Sequence, residues 1–303
     1  MNFSIFKINW KGLLFWSNQF YGICAVLLAM ESSWSLLHKF PSIPLLVLIH
    51  CTTVLYYTHA YLLERKDGIY NERSTWYAKH KKYLWYRQAI YTIIICLVAL
   101  LQFDFLSLTI NASPLYRLLL LVTVIVCILY YLPSFWTKHK SVIRHLGILK
   151  GISIAWAWTF TCCVLPIWVS DNIDKAMVSL AFWFHLIPLF LFLLILAILF
   201  DIKDITRDKM ESIHTLAVKM GKERIVMTAM MPILFMYAVV VGYDYYIFQK
   251  SVIYLIHNII LIGLIIVVAK AILKKEAIYT NILLVDGLII VKVILSCLGF
   301  LNQ

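Results

Sequence analysis

The stretch LLLLVTVIVCILYYL, residues 118–132, decides the fold class, and IILIGLIIVV at 259–268 repeats its message. Neither alternates between polar and apolar positions, as strands of a membrane barrel would. Both are uninterrupted apolar runs. Similar runs of about 20 residues, the length that crosses about 30 Å of hydrocarbon, recur along the chain. Lipid offers no partner to a free backbone amide, so such runs cross as helices. The spacing predicts an all-α polytopic bundle, one transmembrane domain over 1–303. About nine helices are expected, near 13–37, 43–63, 82–103, 113–132, 146–169, 176–200, 223–247, 251–273 and 280–300.

Composition agrees. Of 303 residues, 63% are hydrophobic and 14% charged, against roughly 25% charged in soluble domains. Mean hydropathy is +0.87. A net charge of +12 in a soluble chain would suggest nucleic acid. Here the basic residues sit in short loops between spans and orient the chain instead. With nine spans, 22 of the 27 Lys and Arg fall on one side. Lys39, Arg117, Lys175 and Lys250 fall on the other, and Lys292 lies inside the last span. This predicts a cytoplasmic N-terminus and cytoplasmic acidic loops. The first span is too long for a cleaved leader and reads as a retained anchor. The seven cysteines lie in or beside apolar spans without metal-site spacing and read as small hydrophobes.

Acids are the exception to this pattern, since orientation does not require them. Glu64, Asp67 and Glu72 follow the second span; Asp201, Asp204, Asp208 and Glu211 follow the sixth. Positions i, i+3 and i+7 place Asp201, Asp204 and Asp208 on one stripe of a helix continuing from span six. Like charges on a stripe repel, and a divalent cation removes the conflict. Mg²⁺ commonly joins one or two carboxylates to substrate phosphates. Solvated charge at a helix end is the plainer alternative.

The longer run DIKDITRDKMESIHTLAVKMG, residues 201–221, resembles the second aspartate-rich motif of the UbiA superfamily of intramembrane prenyltransferases. The family pattern is D-x-x-D-x-E-x-D, then a short loop and T-L-x-V-x-x-G. Asp201, Asp204, Asp208, Thr215, Leu216, Val218 and Gly221 match; Thr206 stands where Glu is usual. The first family motif, N-x-x-x-D-x-x-x-D, is degenerate here: His59 replaces Asn, Leu63 precedes Glu64, and Asp67 fits the last position. Tyr130-Tyr131-Leu132-Pro133 resembles the family's end of helix four.

The resemblance implies transfer of an isoprenyl group from a polyprenyl diphosphate to a membrane-soluble aromatic or lipid acceptor, with Mg²⁺. It assigns metal binding to Asp201, Asp204, Asp208, Asp67 and Glu64. It gives diphosphate contacts to Arg73, Lys150 and Lys209, and catalysis to Asp204, Asp67 and Lys209. It implies the bacterial cytoplasmic membrane as location. Two alternatives stand beside it: a catalytically degenerate relative that binds a prenyl lipid or partner, and a transporter. Intramembrane Asp286 and Lys292 are expected to face the bundle. His185, His257 and Asn258 are expected to bond between helices.

Overall fold

The computed structural model describes residues 12–62, 72–131, 147–170, 179–210, 215–274 and 278–300. No strand occurs among the described residues. Six of their helices are long and apolar enough to cross a membrane, which makes the chain a multi-pass helical membrane protein. These are α1 (Gln19–Leu37), α4 (Lys81–Gln102), a span over Leu149–Trp168, α9 (Leu180–Lys203), a span over Lys222–Ile247, and α14 (Val252–Lys274). Shorter apolar segments, Ile43–His59 and Pro114–Tyr130, belong to α2 (Ile43–Leu62) and α6 (Pro114–Tyr131). The last helix, α15, is Ile278–Phe300.

Several expected spans are less regular than the hydropathy suggests. The segment expected at 13–37 opens as a π turn, Gly12–Trp16, and breaks before α1 at Asn18, whose φ is 65°. Asn is among the few residues with a Cβ that visit this left-handed conformation, and here its side chain is held by Thr58 and Tyr77. The expected loop after α2 contains a short helix, α3 (Glu72–Lys79). Between α4 and α6 lies α5 (Phe105–Asn111).

Two spans carry internal π turns. The helix α7 (Gly147–Thr159) passes through Phe160–Val164 to α8 (Leu165–Trp168). After α10 (Ile205–Met210) and α11 (Leu216–Met220), the helix α12 (Lys222–Ile225) passes through Val226–Met230 to α13 (Met231–Ile247). Each π turn is followed by a proline, Pro166 or Pro232. A proline ring lacks the N–H for the i−4 carbonyl and collides with it. Widening the preceding turn relieves that collision.

The chain divides into two units, 1–26 with 42–105, and 27–41 with 106–303. In the first, α2 packs along α4, and α3 packs on α2, α4 and the first π turn. Leu62, Trp76, Tyr77 and Leu84 form a buried cluster there. In the second, α9 is the hub, in contact with α7, α13, α14 and α15. Its core face includes Phe182, Leu189, Phe192, Ile195 and Leu199, all nearly inaccessible. Large apolar side chains such as Phe235, Ile259 and Val267 remain exposed, as a lipid-facing surface requires.

Candidate functional site

The expected single aspartate stripe is interrupted. The helix α9 ends at Lys203, and Asp204 occupies a turn with φ −92° and ψ 6° before α10 begins. Its N–H still bonds the Phe200 carbonyl at 3.0 Å, and the Asp208 N–H bonds the Asp204 carbonyl at 2.8 Å. The turn therefore preserves much of the helical path but rotates Asp204 out of line. Its carboxylate is 31% exposed and stands 3.6 Å from Lys203 Nζ.

Asp201 and Asp208 converge instead. Both are buried, and both face Lys150 of α7, whose Nζ lies 2.8 Å from Asp201 Oδ1 and 3.4 Å from Asp208 Oδ2. One ammonium thus neutralises part of a buried double negative charge. Burial pushes the Asp208 carboxyl up to about 6; Lys150 opposes the rise, and Asp204 and Asp201 add to it. Lys150 was expected to touch diphosphate. In the structure it is the counter-ion of the two carboxylates.

The matched run that follows has a local structural cause. Thr215 is the N-cap of α11, its hydroxyl accepting the Val218 N–H at 3.3 Å. Gly221 ends the helix at φ 85° and ψ 162°, a region essentially closed to residues with a Cβ. Thr at the start and Gly at the stop are therefore demanded by a five-residue helix whose Ala217 is fully buried.

The other expected residues divide as follows. Lys209 is exposed on α10. Glu64 and Asp67 lie outside the described residues. Arg73, in the first unit, is buried on α3. It donates to Asn18 Oδ1, and its guanidinium sits 4.0 Å from the Tyr61 ring centroid. Asn18 in turn donates to Thr58 Oγ1 at 3.1 Å and Tyr77 Oη at 2.8 Å. Arg87 donates to the same Thr58 hydroxyl at 3.0 Å and to the Ser17 carbonyl at 2.9 Å. Arg73 is thus engaged in a tyrosine-lined network that braces the start of α1.

Among the described residues no three His, Cys, Asp or Glu side chains form a group able to hold a metal ion. Of the three aspartates expected as metal ligands, Asp201 and Asp208 share Lys150, and Asp204 stands beside Lys203. A pair still suits Mg²⁺, which completes its octahedron with phosphate oxygens and water. No protein-family model, curated protein or solved structure matches the chain.

Sequence reasoning missed Glu31 and Asp244. Each is a buried acid in an apolar helix. Glu31 Oε1 receives a hydrogen bond from Lys292 Nζ at 2.9 Å. Asp244 Oδ2 receives Lys250 Nζ at 2.6 Å and Tyr254 Oη at 2.5 Å. His185 Nε2 lies 3.0 Å from Ser32 Oγ, and Tyr237 Oη donates to Asn258 Oδ1 at 2.5 Å. A lone acid inside an apolar run was the available signal.

Proposed function

We propose that the chain is an intramembrane prenyltransferase of the UbiA superfamily, with nine spans in a bacterial cytoplasmic membrane. It moves an isoprenyl group from a polyprenyl diphosphate to an aromatic or lipid acceptor. One observation carries the reading: Asp201 and Asp208, from the D-x-x-D-x-x-x-D run, converge on Lys150 at one end of the hub helix. Such a buried carboxylate pair beside an ammonium is a site for a cation bound to an anion.

Asp201 and Asp208 are the residues that would hold Mg²⁺, which when bound supplies charge neutralisation for a departing diphosphate. Lys150 then gives its protons to diphosphate oxygens rather than to the carboxylates, a charge-assisted contact. Asp204, partly exposed at the turn, and Lys209, exposed on α10, would meet the incoming diphosphate and its metal. The apolar helices below provide a water-poor environment for the prenyl tail.

Purified protein in nanodiscs, given an allylic diphosphate, is expected to release pyrophosphate only with Mg²⁺. Asp201→Asn and Asp204→Asn are each expected to lower turnover at least a hundredfold. Wild-type turnover in both variants would defeat the assignment.

A second reading rests on Lys150 itself. An ammonium already occupying the carboxylate pair stands where a metal ion would sit. A relative that has lost catalysis and binds a prenyl lipid or partner would keep this internal cation. It would show Mg²⁺-independent lipid binding and no pyrophosphate release.

A further inference from the structure

A second polar site lies at the other end of α9. From His185 to Asp201 is sixteen residues, about 24 Å along a helix rising 1.5 Å per residue. A cavity of about 150 Å³ there is lined by the ends of α1, α9, α13, α14 and α15, and by Lys250. All its walls belong to the second unit.

The chemistry of the wall is specific. Glu31 and Asp244, 5% and 2% exposed, each spend one carboxylate oxygen on a lysine. Their other oxygens, Glu31 Oε2 and Asp244 Oδ1, are buried without a partner at hydrogen-bonding geometry, the Ser296 hydroxyl of α15 being the polar neighbour of the Glu31 carboxylate. His185 Nε2 stands 3.9 Å from Glu31 Oε2, beyond bonding reach. Leaving a buried carboxylate oxygen unpaired is costly.

The open valences are thus acceptors, and the ligand must donate. Two carboxylates and two ammoniums cancel, so a charged ligand would add an uncompensated charge in low dielectric. The lysine ammoniums, with three protons each, also have protons beyond their single carboxylate bonds. A hydroxyl satisfies both demands, donating to a carboxylate oxygen and accepting from an ammonium. Phe184 and Tyr254 supply apolar ring faces for a carbon skeleton.

The geometry points to a binding site for a neutral polyhydroxyl group, the size of a small polyol or single sugar ring, held by Glu31 Oε2 and Asp244 Oδ1. The site is independent of the prenyl-transfer reading. The hydroxyls come either from a free solute or from a lipid head group, and two probes separate these.

Nanodisc-embedded protein is titrated with glucose by calorimetry. In parallel, a monoglucosyl diacylglycerol is incorporated into the nanodisc and its protection against thermal unfolding is measured. Saturable glucose binding identifies a free solute. Protection by the glycolipid alone identifies a head group. Glu31→Gln and Asp244→Asn are each expected to weaken the response at least tenfold. Ser35→Phe fills the cavity and keeps every charge, so it tests the site if the charge variants fold poorly. No saturable response to either probe, or a response undiminished in Ser35→Phe, would overturn the proposal, and waters alone would then fill the cavity.

Discussion

Replacing Lys150 with Met leaves Asp201 and Asp208 facing each other without a counter-charge. At an effective dielectric of about 20, Coulomb attraction is about 6 kcal/mol for the 2.8 Å contact and about 5 kcal/mol for the 3.4 Å contact. Desolvation of the ammonium offsets much of this gross attraction. What remains after Lys150→Met is an uncompensated buried charge, which costs about 3–5 kcal/mol where one partner of a buried pair is removed. The same vacancy favours another cation. A cation that binds only the folded state, at a hundredfold its dissociation constant, returns about 2.7 kcal/mol. Lys150→Met is therefore expected to unfold at markedly lower denaturant than wild type in EDTA, and to recover more than half of the loss in excess Mg²⁺. Wild type, whose lysine already neutralises the pair, should gain less. The assay is reversible unfolding in mixed micelles followed by tryptophan fluorescence. A loss below about 1 kcal/mol in EDTA, against the expected 3–5 kcal/mol, would refute the counter-ion role. Equal Mg²⁺ responses in the two proteins would refute the cation site.

Gly221→Ala should destabilise by about 1–3 kcal/mol, because its φ of 85° is strained for a Cβ although no atom lies within 4 Å of one; an unchanged unfolding midpoint would contradict this. Lys292→Met should cost about 3–5 kcal/mol by stranding buried Glu31, and Glu31→Gln in the same background should restore part of it; failure of that rescue would show the pair is not the cause. Asp208 has a folded pKa of about 6, above the ordinary 3.8. Such a raised carboxyl contributes stability that is complete below about pH 4 and is lost as pH rises through 6. In EDTA, the stability of wild type relative to Asp208→Asn should therefore fall from pH 4 to 7, and a flat difference would count against the buried-carboxyl description.

Six spans were legible because hydrocarbon thickness sets a minimum length for a crossing, and helices such as α14, around 259–268, meet it, whereas α6, around 118–132, is shorter. Their interruptions were less so. Asn18 looks like an ordinary polar residue in a hydrophobic stretch until its left-handed backbone and its bonds to Thr58 and Tyr77 are placed. Pro166 and Pro232 were visible, yet prolines kink, end or widen helices, and packing chooses among these. The acid run was legible as a cluster and misread as one stripe, because periodicity assumes an unbroken helix and the chain turns at Asp204. The pairing of Lys150 with Asp201 and Asp208 was not legible, since no spacing rule connects it to carboxylates more than fifty residues away. Asp244, Lys250 and Tyr254 cross a loop, where helical spacing has no force.

The clasp between Glu31 and Lys292 bears on how the molecule is made. The two residues are separated by 261 positions, and synthesis proceeds from the N-terminus. The first long helix must leave the ribosome and enter the bilayer carrying an acid whose mate is not yet translated. Until α15 arrives, Glu31 has to remain protonated, stay near the lipid–water boundary, or be sheltered by an insertion factor. The contact between α1 and α15 thus forms only after the residues between them have been made, and a chain truncated before α15 would leave Glu31 without its counter-ion.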